Sequence, residues 1–345
     1  MNVLITGSSG VLGLNLTNYL KNKNFEKLVL LDINTATEDE GNRISFHKID
    51  IRDKAALEKV ITGMDVVVHS ASATPAYGDE EIFEINVEGT GNLLEICHKK
   101  NVGRFIYISS TSVYGIPGKS PVSEDDPVQP FDAYNKSKIE AEKLCSLYRE
   151  KGMVIPVLRP RTFIGPWRLG TFSLLFEWAS EKKHFPILGK GMNRYQFLDV
   201  EDLCHAVYLC MTKPEEDVND TFNIGAKEFG TFRDDYQAVL DSAGYGKRIV
   251  RLPSAPAMLI LRFFAFLKLI PLYKRLYEKV NRDYYVSVKK AEEKLGFIPS
   301  YSNKDSLVRA YNWYLQNCGK FHKFTGVSNA CPWKQGVLKL CKIFF

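Results

Sequence analysis

The chain has 345 residues, 45% hydrophobic and 25% charged, with a net charge of +6. That is the make-up of a globular protein of about two domains, and it excludes collagen-like, disulfide-scaffold and disordered chains. No apolar run reaches the ~20 residues of a membrane-spanning helix, and a strand-like run from Asn2 leaves no room for a leader, so the cytoplasm is the expected compartment.

Val3-Leu4-Ile5 reads as a first strand, followed by glycines and a helix to about Leu20. Residues 28–31, 66–68 and 105–108 continue a series of short strands between amphipathic helices. Their near-continuous branched and aromatic runs predict strands covered on both faces. Alternating strands and helices predict an α/β fold, a Rossmann-type doubly wound parallel sheet. After Pro160 the loops lengthen and aromatics gather at Phe163, Trp167, Phe172, Phe176 and Trp178, which predicts a smaller lobe. Phe222-Asn223-Ile224-Gly225 looks like one more sheet strand, so the two lobes interleave. The expected division is a nucleotide-binding domain over 1–165 that also takes in about 195–228. A substrate lobe covers 166–194 and 229–318, and a basic amphipathic tail covers 319–345.

Seven cysteines form no C-x-x-C pair and no ligand cluster with histidine, so reduced, mostly buried thiols and no metal site are expected. The basic excess sits in 247–282 and 319–345, while the rest of the chain is net acidic. Nucleic-acid binding by the whole protein is therefore not expected. Residues 257–270 carry only Arg262 and Lys268 as charges, and Val337, Leu340, Cys341, Phe344 and Phe345 share one helical face. Two readings stand for these segments. One is docking of 257–280 and 333–345 on an anionic membrane, and the other is packing on the core or at a dimer interface.

Thr6-Gly7-Ser8-Ser9-Gly10-Val11-Leu12-Gly13 joins the first strand to the first helix. Glycines there permit a tight turn, close approach to a pyrophosphate and close helix–strand packing, and the helix N-terminus offers free N–H groups. Asp32 ends the second strand. A carboxylate there accepts both ribose hydroxyls and repels a 2′-phosphate, so NAD is expected over NADP. Asp50 follows the third strand, where an acid meets the adenine amine.

Tyr134-Asn135-Lys136-Ser137-Lys138 opens a predicted helix with Tyr134 and Lys138 on one face. The lysine cation favours the phenolate and equips Tyr134 as a general base near neutral pH. Ser110 follows the strand ending at Ile108, where ligands bind in open α/β sheets. The three residues together describe a hydride-transfer site, with the substrate carbinol between Ser110 and Tyr134.

In these motifs the chain resembles the extended short-chain dehydrogenase/reductase superfamily, in its NAD-dependent epimerase/dehydratase branch. The resemblance extends over about residues 1–316. It includes His69 to Ala73, Asn86 to Thr90, Leu158-Arg159-Pro160, Phe197 to Leu203 and Lys289 to Pro299. It implies Ser110, Tyr134 and Lys138 as catalytic residues. It implies cofactor contacts at Gly7, Ser9, Gly10, Val11, Leu12, Gly13, Asp32, Asp50, Ile51, Ala71, Ser72, Ala73 and Pro160, besides Tyr134 and Lys138. A homodimer is implied too, through roughly 86–99 and 133–148.

Three departures bear on function. Thr111 and Ser112 stand where the family's dehydratases carry an Asp-Glu pair, which disfavours water elimination. Thr162 replaces the asparagine usual in sugar-nucleotide epimerases. Arg194 is one residue from that group's usual arginine, leaving Arg161, Arg168 and Arg194 as candidates for an anionic substrate, with Thr111 and Thr162 beside them. Residues 189–200 also resemble the 3β-hydroxysteroid dehydrogenase branch. The leading expectation is an NAD-dependent epimerase of a nucleotide-activated sugar. The alternatives are a dehydrogenase/reductase of a hydroxysteroid-like or 3-oxo-acyl substrate, and a non-catalytic NAD-binding sensor.

Overall fold

The computed structural model describes residues 1–34, 43–256, 282–318, 342 and 345. Seven parallel strands form the central sheet: β1 (Asn2–Thr6), β2 (Lys27–Asp32), β3 (Ile44–Lys48), β4 (Val66–His69), β5 (Arg104–Ile108), β6 (Val157–Pro160) and β10 (Thr221–Ile224). Their order is β10-β6-β5-β4-β1-β2-β3. The chain moves outward from β1 through β2 to β3, then returns to β4 on the other side of β1. The switch point, where open α/β sheets bind ligands, lies beyond the ends of β1 and β4.

Side chains of each strand alternate between two cores. Val3, Ile5, Leu28, Leu30, Val66, Val68 and Ile106 pack on one face with α1 (Val11–Lys21) and α7 (Val200–Thr212). Leu4, Val29, Leu31, Val67, Phe105 and Tyr107 pack on the other with α2 (Lys54–Ile61), α4 (Gly89–Lys99) and α5 (Ala133–Glu150). Both faces are covered, which is why the strands read as unbroken apolar runs. Truncating a wholly buried residue such as Leu4 to alanine costs about 2–5 kcal/mol.

A third core joins α6 (Phe172–Ser180), α9 (Phe232–Ala243) and α10 (Asn303–Asn317) around Phe176, Phe197, Val239, Leu240 and Tyr311. Two short parallel pairs border it: β7 (Phe163–Ile164) with β9 (Leu198–Asp199), and β8 (Phe185–Leu188) with β11 (Ile249–Leu252). Ser302 starts α10 through a capping box with Asp305. Asp199 caps α7 by accepting from the Glu201 N–H, and Asp202 accepts from the N–H groups of Ser300 and Tyr301. The acids of the 197–203 motif thus fasten α7 and the segment entering α10.

Cys97, Cys145, Cys204 and Cys210 are buried, and burial pushes their thiols up, so none is a ready thiolate. The apolar segment 257–270 lies outside the described residues, as does the tail apart from Lys342 and Phe345. Those two dock on α6 and its C-terminal end. Lys342 is buried and pairs with Glu177 and, at 2.9 Å, with Glu181, while Phe345 packs on Trp178. No helix of the described residues is long and apolar enough to cross a membrane.

Candidate active site

The turn after β1 is built so that nothing larger than glycine fits. Gly7 has φ +71°, and a Cβ there would lie 2.6 Å from the Ala71 nitrogen. A Cβ on Gly13 would lie 2.3 Å from the Gly7 carbonyl oxygen. Gly10 caps α1 with no side-chain acceptor, which leaves the helix's first N–H groups facing the turn. Val11 and Leu12 begin that helix and are buried in the core behind it. Asp32 ends β2 beside this turn. One carboxylate oxygen accepts from the Ser9 N–H at 3.0 Å and the other from the Asn34 N–H at 2.9 Å. Burial raises its pKa, and those two N–H groups oppose the rise.

Asp50 is bound by Arg52 at 2.7 Å, which also reaches Glu84 at 3.0 Å, and the Arg52 guanidinium holds Asp50 below the usual carboxylate range. Ile51 is buried, and its side chain fills the space in front of Gly89. The loop after β4 is held by Asn86. Its Oδ1 accepts from the Ala73 N–H at 2.8 Å and the Ser72 hydroxyl at 3.0 Å, and its Nδ2 donates to Ser137 Oγ. Ser137 in turn donates to the Tyr134 carbonyl. Asn86 therefore ties the Ala71–Ala73 loop to the first turn of α5. Below it, His69 sits wholly buried between the Thr6 and Thr90 hydroxyls at 2.8 and 2.9 Å. Burial and the Lys138 cation push its pKa down to about 3, so the ring is neutral.

Asp132 caps α5 by accepting from the Asn135 N–H at 2.9 Å, which fixes where Tyr134 and Lys138 begin to project. Asn135 also donates to the Ser112 carbonyl, joining this turn to the short 3₁₀ turn Thr111–Tyr114 that follows β5. Lys138 is 3% exposed, and its Nζ donates to the Ile108 carbonyl at 3.0 Å. Burial draws its pKa down to about 8, and the Glu142 carboxylate opposes this. Ser110 caps the 3₁₀ turn by accepting from the Ser112 N–H at 3.1 Å, a bond that leaves its own hydrogen to donate. Ser110 and Lys138 thus meet at the C-terminal end of β5, and Tyr134 stands one helical turn before Lys138 on α5.

One cluster here escaped the sequence reading. Glu142 follows Lys138 by one helical turn and pairs with Arg159 of β6 at 2.6 Å. It also accepts from the Ser109 hydroxyl. Arg159 donates to the Tyr114 hydroxyl at 2.8 Å, and Tyr114 donates to Asn223 of β10. Only the i, i+4 spacing of Lys138 and Glu142 hinted at it.

The candidates on the substrate side divide. Thr111 is buried, donates to the Pro160 carbonyl at 3.2 Å and accepts from Arg161. Arg161 is 2% exposed, lies 3.9 Å from the Tyr284 ring centroid, and donates to the carbonyls of Gln196 and Tyr284. Both are framework behind Pro160. Thr162 pairs with the Tyr195 hydroxyl at 3.3 Å. Arg194 is exposed and rests on Phe229 and Tyr285. Arg168 is half-buried and lies over the Phe163 ring, and burial draws its pKa down to about 10.

A family model described as "NAD dependent epimerase/dehydratase family" matches residues 3–225. The chain belongs to this family. It is an enzyme of the extended short-chain dehydrogenase/reductase type, with NAD as its cofactor. An uncharacterized protein, y4nG, of Sinorhizobium fredii is 32% identical over 339 residues, which are 98% of this chain and 84% of that protein. A putative UDP-glucose 4-epimerase of Methanocaldococcus jannaschii is 27% identical over 342 residues, 91% of this chain and 99% of that one. A solved UDP-glucose 4-epimerase of Thermotoga maritima superposes with a TM-score of 0.77 at 23% identity, covering 92% of this chain and all of that one.

The geometry fits the family's cofactor. Gly7 and Gly13 let the turn pack directly on the Ala71 backbone and on the start of α1, that start is uncapped, and Asp32 stands at the end of β2 where ribose hydroxyls are bound. Among the described residues no group of His, Cys, Asp and Glu is placed to hold a metal.

Proposed function

We propose that this enzyme epimerises a nucleotide-activated sugar, with Ser110, Tyr134 and Lys138 as catalytic residues. The observation that carries the reading is the Lys138 ammonium on the Ile108 carbonyl at 3.0 Å, one turn from Tyr134 and beside Ser110. Gly7, Ser9, Gly10, Val11, Leu12, Gly13, Asp32 and the Ala71–Ala73 loop hold the cofactor, with Asp50, Ile51 and Pro160 at its margins. Bound NAD supplies the hydride acceptor and donor. Lys138 stabilises the Tyr134 phenolate, whose oxygen takes the carbinol proton and later returns it. Ser110 donates to the same substrate oxygen as it becomes a carbonyl. Water elimination would need an acid and a base at positions 111 and 112. A threonine committed to the Pro160 carbonyl and a serine stand there. The near full-length likeness to a putative UDP-glucose 4-epimerase supports the substrate class.

In this reading residues 166–194 and 229–318 cover the sugar, and a homodimer forms through α4 and α5, where Leu147 is 45% exposed. The test is to incubate the enzyme with UDP-, dTDP- and GDP-hexoses and follow the sugar by NMR. Interconversion of two epimers without net NADH formation is expected, and its loss in Tyr134→Phe. Net oxidation with one NADH per sugar would contradict it.

A further inference from the structure

The fold brings together two basic stretches that lie far apart in the sequence. Residues 247–282 carry nine Lys or Arg against one Glu, residues 319–345 carry five Lys and no acid, and the remainder of the chain is net acidic. The first stretch enters β11, which pairs with β8 in parallel so that Ile249 stands opposite Phe185. The second stretch reaches the same corner of the lobe. The His184 N–H donates to the Phe345 carbonyl at 3.2 Å, and Lys342 pairs with Glu177 and Glu181.

One edge there gathers the cations. The β8–β11 register sets Lys182 and Lys183 beside Lys247 and Arg248 at the start of the two strands, and the Arg248 N–H donates to His184 Nδ1 at 3.0 Å. The Lys182 ammonium lies 4.9 Å from the ring centroid of Tyr245, which is 47% exposed. Lys182 and Arg248 are exposed, and Lys183 and Lys247 are half-buried. Among the described residues none of the four is held in an ion pair. Glu177 and Glu181 are already taken by Lys342, and Asp241 of α9 accepts from the Gln237 amide that also holds the Lys247 carbonyl.

We propose that this edge docks on an anionic lipid surface. Cations gathered at one edge of a chain that is otherwise net acidic turn that edge toward negative charge. What accompanies the charge suits lipid better than nucleic acid. Tyr245 offers the ring and hydroxyl of an interfacial aromatic. The sequence beyond β11 runs from 257 to 270 with Arg262 and Lys268 as its only charges, too short to span a bilayer and of the basic, apolar make-up that lies in its surface. Binding to a phosphate backbone draws on the cations alone. Lys342 and Phe345 take no part, because the lobe holds the first in ion pairs and the second on Trp178.

The test is sedimentation of the NAD-loaded full chain with vesicles of phosphatidylcholine, alone or mixed with phosphatidylglycerol, at low and high salt. Binding to the mixed vesicles is expected to be at least tenfold tighter and to weaken as salt rises. A basic residue near an anionic leaflet is worth about fivefold in partitioning. Reversing the edge with Lys182→Glu, Lys183→Glu, Lys247→Glu and Arg248→Glu is therefore expected to weaken binding at least ~20-fold, with the Kd for NAD within twofold of wild type. As many reversals elsewhere on the surface, Lys48→Glu, Lys59→Glu, Lys100→Glu and Lys151→Glu, give the same net charge and are expected to keep most of the binding. Where reversal of the edge costs NAD binding, the neutral set of four glutamines at the same positions decides the matter, with a loss of at least tenfold expected. No preference for the mixed vesicles, an edge variant that binds like wild type, or a control set that loses as much as the edge set overturns the proposal. An oligonucleotide that binds through the same four residues while the mixed vesicles do not also overturns it, because the partner is then nucleic acid.

Discussion

Arg159 reaches from β6 to Glu142 on α5 and closes an ion pair of 2.6 Å, with the two side chains 9% and 12% exposed. Burial works against the Arg159 charge, and the carboxylate more than restores it. The same carboxylate supports the Lys138 ammonium one turn away. Removing it alone leaves Arg159 buried without a counterion, which costs about 3–5 kcal/mol. Glu142→Gln is therefore expected to unfold at markedly lower denaturant. It also lowers the Lys138 pKa further below about 8, so the alkaline limb of the pH–rate profile moves to lower pH. Glu142→Gln with Arg159→Met recovers stability without restoring that limb. An unchanged limb in the single variant would show that Glu142 does not act through Lys138.

In the proposed mechanism Tyr134→Phe removes the proton acceptor and keeps the ring. Turnover is expected to fall at least ~100-fold, in line with general-base contributions, while NAD affinity stays within a few fold. Steady-state kinetics and cofactor titration together check this. A variant that keeps most of its turnover would move the base elsewhere.

His69 gives the fold an acid-sensitive element. Its folded pKa of about 3 lies below the 6.5 of the free side chain. Between these values the unfolded chain binds a proton that the folded one does not, so this contribution rises with pH. It is complete above pH 6.5 and is lost progressively down to about pH 3. Urea midpoints should drop as the pH is lowered from 7 to 4 in the wild type and drop less steeply in His69→Gln.

Gly13→Ala places a methyl group 2.3 Å from the Gly7 carbonyl. Helix α1 must then shift off the turn, at about 1–3 kcal/mol, and NAD binding weakens with it. Gly118, which has open space around it, serves as a control: Gly118→Ala should leave the melting temperature and NAD affinity unchanged.

Much of this was legible in the sequence because the period of apolar residues and the glycine spacing are local signals. Val3-Leu4-Ile5 and its successors become the central strands, and the Gly7 to Gly13 turn joins β1 to α1 as its composition demands. The placing of Tyr134 and Lys138 one helical turn apart at the start of α5 was legible for the same reason. Contacts over long sequence distances were not. Nothing local says that Arg159 meets Glu142 and Tyr114, that Asn86 ties the Ala73 loop to Ser137, or that Arg161 is enclosed by Tyr284, 123 residues away. The five substrate candidates were therefore alike in the sequence. Folding separates Thr111 and Arg161, whose polar groups serve the framework, from Arg168, whose Nε meets no acceptor among the described residues.

The nucleotide content of the purified enzyme tests the central claim most directly. An epimerase returns its hydride in every cycle and has no need to exchange its cofactor. Denaturing the protein as purified and separating the released nucleotides should give close to one NAD(H) per chain, with no NADP. A protein that releases none, and that consumes added NAD in step with its substrate, would contradict epimerisation and make this enzyme a net dehydrogenase.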